Sequence, residues 1–153
     1  MLELGAWYGF STVVLASVAG RVTSVDWHLG DEHAGSTDTF AIFTSYLEQY
    51  AVADRVEVIR QRFEDALPEL AAQGRRFGGC FLDAHHSAES VSRDLGLALP
   101  LISPGGFIAF HDYGRGPDNG FPGFGVTEVA DRFGISGRTG FLAWGYVTDK
   151  VEG

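Results

Sequence analysis

The sequence predicts an α/β fold, a parallel sheet with helices packed on both faces. Three observations carry this. Short apolar, β-branched runs alternate with longer helical stretches along the chain, the rhythm of repeated strand–helix–strand units. A strand, a glycine turn and a helix already occupy the first nineteen residues. Acidic residues stand where strands end, the edge at which open parallel sheets carry their sites.

Each element follows in order. The first strand is LELG, Leu2 to Gly5, and the turn behind it carries Gly5 and Gly9, residues that tolerate backbone conformations other side chains oppose. STVVLASVA (Ser11 to Ala19) continues as a helix, and RVTSVD (Arg21 to Asp26) alternates like a strand. A helix over 38–51, the strand RVEVIR (Arg55 to Arg60) and a helix over 64–74 come next. GCFLDA (Gly79 to Ala84) is a continuous apolar run of the kind that fully buried strands show. The helix over 87–100 begins at Ser87, a capping residue, with Glu89 placed to complement the macrodipole. Pro104-Gly105-Gly106 predicts a turn before the strand GFIAFHD (Gly106 to Asp112). A glycine-rich stretch over 114–126 leads to a helix from Val126 to Phe133, and FLAWGYVT (Phe141 to Thr148) reads as the last strand. No repeat, low-complexity tract or linker interrupts the pattern, so residues 1–153 read as one domain.

Composition narrows the function classes. An apolar fraction of 45% with 20% charged residues is ordinary for a globular core and argues against disorder. No apolar run approaches the roughly 20 residues that span a membrane, and no basic flank marks a signal peptide. The single cysteine, Cys80, has no internal disulfide partner and sits in the apolar context of a strand, which points to a reducing cytoplasm. A net charge of −9 opposes nucleic acid and anionic membranes. The arginine pairs Arg60 with Arg62 and Arg75 with Arg76 are too short to form a basic stripe, so a small molecule is the expected partner.

The chemistry begins in ELGAWYGFS, Glu3 to Ser11. A strand, glycine turn and helix start bring free backbone N–H groups to a nucleotide-like ligand. The spacing Glu-x-Gly-x-x-x-Gly differs from Gly-x-Gly-x-x-Gly and from the P-loop, which disfavours a nicotinamide oxidoreductase. A carboxylate amid apolar residues is costly unless it holds something. Glu3 therefore reads either as ordering the glycine loop and approaching a ligand amino group, or as a surface acid on a frayed strand. Asp26, about twenty residues beyond the turn, either accepts hydrogen bonds from ribose hydroxyls or caps a loop. Arg62 and Phe63 can border a planar base, or simply start a helix. Trp7, Tyr8 and Trp27 line the same pocket or belong to the core.

FLDAHHSAESVSRDL (Phe81 to Leu95) places Asp83 at a strand end and His85 and His86 in the turn behind it. A histidine there can serve as general base, or bond to backbone. The next strand delivers His111-Asp112-Tyr113. Asp83 and Asp112 can share a divalent cation with a substrate hydroxyl and waters. Alternatively His111 removes a proton while Asp112 orients it. A histidine partner suits zinc or manganese better than magnesium. The glycine-rich stretch after Asp112 reads as a substrate lid or as a disordered connection.

Together, ELGAWYGFS, SVD, FLDAHHS and SPGGFIAFHDY resemble a class I S-adenosylmethionine-dependent methyltransferase of the group often labelled methyltransferase family 24, over nearly the whole chain. Relatives include O-methyltransferases of sugar and antibiotic biosynthesis and cephalosporin hydroxylase-like proteins. The resemblance implies a Rossmann-like, seven-stranded, mostly parallel sheet sandwiched by helices. It implies that Glu3, Gly5 and Gly9 contact the methionine part of S-adenosylmethionine, with Ala6 and Ser11 in the same cofactor set. Asp26 would bind ribose with Trp27 beside it, and Arg62 and Phe63 would border adenine. Asp83 would touch the cofactor and, with Asp112, hold a cation such as magnesium, while His86 or His111 takes the acceptor's proton. His111 stands where relatives usually present an acid or amide. Family members also carry a helical segment before the first strand; this chain is expected to lack those cap helices, as a natural minimal form, through a trimmed start, or because a partner subunit supplies the cover, with oligomerisation one remedy for the exposed apolar surface. The expected activity is O-methylation of a small-molecule hydroxyl, the alternative a non-catalytic cofactor-binding module completed by another chain.

Overall fold

A computed structural model describes residues 1–30 and 35–148. Its strands are β1 (Leu2–Leu4), β2 (Val22–Val25), β3 (Val56–Ile59), β4 (Phe77–Leu82), β5 (Ile102–Phe110), β6 (Gly137–Thr139) and β7 (Leu142–Tyr146). The helices are α1 (Phe10–Ala19), α2 (Phe40–Gln49), α3 (Phe63–Ala72), α4 (Ala88–Ala98) and α5 (Val126–Phe133). The sheet runs in the order β3-β2-β1-β4-β5-β7-β6. Strands β1 to β5 are parallel, and β7 lies antiparallel to both β5 and β6. Chain order reverses between β1 and β4, which opens a crevice at their carboxyl ends.

Alternation along β1 explains how one short strand serves two cores. Leu2 and Leu4 enter the larger cluster with Leu67 and Leu70 of α3, Val91 and Leu95 of α4 and Val129 of α5. Glu3 points the other way, toward α1. On that face a smaller cluster gathers Ala16 of α1, Phe43 and Leu47 of α2 and Val22 of β2. Cys80 is fully buried in β4, and burial pushes its thiol up, away from nucleophilic chemistry. Among the described residues, no helix is long and apolar enough to cross a membrane.

Three local expectations shift. The turn expected at Pro104-Gly105-Gly106 is absorbed into β5, which begins at Ile102; its ladder with β4 slips between Phe77 and Gly79 to accommodate the extra residues. The strand β6 has no apolar alternation to announce it, and it exists because Gly137, Arg138 and Thr139 pair with Trp144, Ala143 and Leu142. Helix α3 starts at Phe63, so Arg62 is its capping position and Phe63 packs half-buried against the larger core.

One buried charge is a liability of the core. Asp94 on α4 is 1% exposed; Arg93 Nε donates to its Oδ1 at 3.1 Å, and its Oδ2 has no partner. Burial pushes the carboxyl up to about 6 in spite of Arg93. Below the unfolded value of 3.8 both states hold the proton and nothing is lost. As pH rises through the window to about 6, the unfolded state releases its proton first, and the native state loses stability relative to it. The expected penalty at neutral pH is about 2–3 kcal/mol. Asp94→Asn should therefore raise stability at pH 7.5 by about 1–2 kcal/mol and leave it unchanged near pH 4. Urea melts of both proteins at the two pH values check this, because their difference isolates Asp94.

Candidate active site

The glycine turn is held from two sides. Gly5, at φ +87°, donates its N–H to Val25 O at 3.1 Å, and Gly9, at φ +94°, donates to Ala6 O at 2.7 Å. Behind the turn Glu3 is completely buried, and its Oε2 accepts from Thr12 Oγ1 at 2.6 Å and Ser24 Oγ at 2.7 Å. These bonds tie β1 to α1 and to β2, which excludes the frayed surface acid. Burial raises the Glu3 carboxyl, and the hydroxyls of Thr12, Ser24 and Ser11 oppose that rise. Oε1 makes no aligned hydrogen bond, although it is buried.

Asp26 follows β2 and reaches back to the same turn. Its Oδ2 accepts from Ala6 N at 2.7 Å and Trp7 N at 2.9 Å, and its Oδ1 accepts from His28 N at 2.7 Å. A carboxylate offers about four lone-pair directions, so one on Oδ1 stays open after these bonds. The loop role and a ligand role for Asp26 are compatible. Trp27 stands next to it, and the Arg62 guanidinium lies 5.0 Å over the Trp27 ring. Trp7 stacks on Tyr8 at 4.6 Å and is 60% exposed, an unusual position for a ring that belongs to a core.

Backbone pairing carries the ladder past the strand ends. Asp83 N donates to Leu4 O at 2.9 Å and His111 N to Leu82 O at 3.1 Å, which aligns Gly5, Asp83 and His111 across three strands. The side chains then converge. His86 Nε2 lies 2.8 Å from Asp112 Oδ2 and 3.9 Å from Asp83 Oδ1. His111 Nδ1 lies 3.2 Å from Asp83 Oδ1 and 3.3 Å from Asp112 Oδ2, aligned for a full hydrogen bond with neither. Asp112 and Asp83 together push His111 up to about 10, so it is a cation at neutral pH. Burial alone would raise the Asp112 carboxyl, but the contacts from His111 and His86 outweigh it and hold the group well below the usual carboxylate range. His85 takes the backbone role anticipated for one histidine of the pair: Ser87 N donates to its Nδ1 at 3.2 Å.

Sequence reasoning passed over two features. Arg115 Nη1 reaches Asp112 Oδ1 at 3.0 Å, and its guanidinium lies between Phe121 at 4.5 Å and Phe141 at 4.4 Å. Phe124 stacks flat on His86, with centroids 4.2 Å apart and planes 1° apart. Gly125 N donates to His86 O at 2.8 Å, so the glycine-rich stretch is anchored to the turn that carries His86. The available signal was two phenylalanines in an otherwise polar, glycine-rich loop, with an arginine three residues beyond Asp112.

Five parallel strands closed by an antiparallel pair, in the order β3-β2-β1-β4-β5-β7-β6, form the Rossmann-like α/β fold of methyltransferases. The chain belongs to the methyltransferase-domain family, whose model matches residues 2–113. Solved structures agree. Cofactor-bound Rv0187 from MTB is 32% identical, with a TM-score of 0.58 over 72% of this chain. The O-methyltransferase from Bacillus cereus in complex with SAH is 28% identical, with a TM-score of 0.59 over 72%. TomG from Streptomyces achromogenes, an O-methyltransferase involved in tomaymycin synthesis and solved with SAM, is 25% identical, with a TM-score of 0.61 over 86%. The chain spans 47%, 48% and 59% of these three structures' own lengths. Comparison with curated proteins finds no match.

Proposed function

We propose that this chain is an S-adenosylmethionine-dependent methyltransferase that methylates a hydroxyl of a small molecule with the help of a divalent cation. One observation supports this most. The backbone of Gly5, in the turn that would hold the cofactor, lies directly against the Asp83 carbonyl, and the Asp83 carboxylate faces Asp112 across the histidine cluster. A methyl donor and an acceptor hydroxyl bound at these neighbouring places would be brought into line, which is most of what such a transfer requires.

On the donor side, Gly5, Ala6, Gly9 and Ser11 would meet the methionine part, and the open Oε1 of Glu3 suits its amino group, directly or through water. Asp26 has one lone pair left for a ribose hydroxyl, Trp27 and Arg62 flank it, and Phe63 borders the adenine through whatever edge the core leaves open. Asp83 takes part on both sides. On the acceptor side the donor chemistry fits a cation, because carboxylate oxygens of Asp83 and Asp112 converge with imidazole nitrogens. A bound cation would lower the pKa of the acceptor hydroxyl. His111 holds a proton while both carboxylates face it; were their charge engaged by a cation, it would release that proton to water and stand as one candidate base, with His86 the other. Phe10, Val14 and Val18 leave an apolar stripe exposed on α1, in keeping with self-association.

Titration calorimetry with S-adenosylmethionine tests the reading. Binding is expected, and Asp26→Ala should weaken it about tenfold or more, the worth of a charge-assisted hydrogen bond to ribose. Absence of binding by the folded protein would sink the proposal. Cofactor binding without methyl transfer to any of a broad set of hydroxylated acceptors would favour the non-catalytic module instead.

A further inference from the structure

Two carboxylates and two imidazoles meet at one point, and their spacing is informative. Donor atoms bound to one ion at about 2.1 Å sit roughly 3.0–3.4 Å apart in octahedral or tetrahedral arrangements. The separation of His86 Nε2 from Asp112 Oδ2, 2.8 Å, and from Asp83 Oδ1, 3.9 Å, brackets that range. The ligand atoms of Asp83, His86 and Asp112 all lie within 4.8 Å of one another. Asp112 is 4% exposed; its Oδ2 meets His86 at 2.8 Å and His111 at 3.3 Å while its Oδ1 faces the Arg115 guanidinium at 3.0 Å, so the carboxylate is buried with one oxygen directed into the cluster.

His86 is also rigidly presented. Its ring is stacked flat on Phe124, and the carbonyl of the same residue accepts from Gly125 N, which fixes both ends of the residue against the glycine-rich stretch. A ring held this way keeps Nε2 aimed at the two carboxylates. We propose that His86 is a third protein ligand beside Asp83 and Asp112, and that the centre therefore takes a transition-type divalent cation, manganese or cobalt, in preference to magnesium. The inference rests on the metal-assisted reading above. Its physical basis is donor softness. Magnesium favours an all-oxygen shell and keeps much of its water, whereas an imidazole nitrogen adds binding energy for manganese and more for cobalt.

The test uses the full chain, freed of metal by chelation, with Mg2+, Mn2+ and Co2+ as separate probes. Calorimetry should show Mn2+ binding at least tenfold tighter than Mg2+, and Co2+ tighter still. Mn2+ should lose its free-ion electron paramagnetic resonance signal on binding, and bound Co2+ should develop visible absorption bands that change when nitrogen is removed from its shell. His86→Ala should weaken Mn2+ and Co2+ by tenfold or more and Mg2+ by less than about threefold. Phe124→Leu, which keeps the imidazole and loosens it, should fall between. Circular dichroism confirms that each variant is folded. Equal affinities for Mg2+ and Mn2+, or Mn2+ binding and Co2+ bands unchanged in His86→Ala, would overturn the proposal. S-adenosylmethionine binding measured on the same samples separates the two failures: cofactor binding without any metal binding removes this inference and leaves the methyltransferase reading standing.

Discussion

Asp112→Ala should cost about 2–4 kcal/mol of folding stability, toward the upper end of single substitutions. The reason is what stays behind. His86, His111 and Arg115 all point at this one carboxylate, at 2.8, 3.3 and 3.0 Å. Removing it leaves His86 and His111 with Asp83 as their remaining carboxylate neighbour and takes from Arg115 its ion-pair partner. The cost falls short of that for a fully buried pair because His111 and Arg115 keep contact with water. The pH dependence identifies the cause. His111 is raised from 6.5 to about 10 in the folded protein, so its contribution is fully present below pH 6.5 and is lost as pH rises through 10. Wild-type stability should decline across that window. In Asp112→Asn, which keeps the side-chain shape, the decline should shrink and the His111 ring should titrate closer to its ordinary range. Denaturant melts from pH 6 to 10, with imidazole signals followed by nuclear magnetic resonance, check both points. A variant as stable as the wild type at pH 7, with His111 titration unmoved, would contradict the cluster as described.

Gly5→Ala should be more damaging still, with a loss above about 4 kcal/mol or failure to fold. Two costs add. Any side chain at φ +87° pays roughly 1–2 kcal/mol for left-handed backbone. A Cβ there would also overlap the Asp83 carbonyl oxygen and stand 2.7 Å from its carbon and 3.0 Å from Ala84 Cα. These are backbone atoms of the neighbouring strand end, and they cannot move aside without dragging Asp83 out of the cluster. Gly74→Ala is the control, because Gly74 has a similar φ of +71° and nothing within 4 Å of the added atom. It should lose about 1 kcal/mol only. Thermal melts of the two variants side by side separate backbone strain from steric overlap. Equal losses would mean that the approach of the turn to Asp83 is looser than described.

Both expected results depend on contacts between residues far apart in the chain, and this marks where sequence reading stops. Strands β1, β2 and β4 were legible because apolar and β-branched runs report burial directly. Glu3, Asp26, Asp83 and Asp112 were legible because a carboxylate at the end of such a run needs a reason to be there. The strand β6 was not, since Gly137-Arg138-Thr139 is held by its partner strand rather than by its own pattern. Arg62 and Trp27 were both candidates, but only the fold shows one guanidinium over the other's ring.

By itself the sequence determined the class of the domain, the glycine turn, the strand-end acids and the family to which they belong. These are properties of local pattern: periodicity, turn chemistry and residue type are written in consecutive letters. The tertiary structure alone decided that β4 lies beside β1, that Asp26 grips the turn through Ala6 and Trp7, and that Phe124 fixes His86 against Asp83 and Asp112. Those are distances between segments, and the energies that set them come from burial and charge pairing across the fold, which no single stretch of the chain contains.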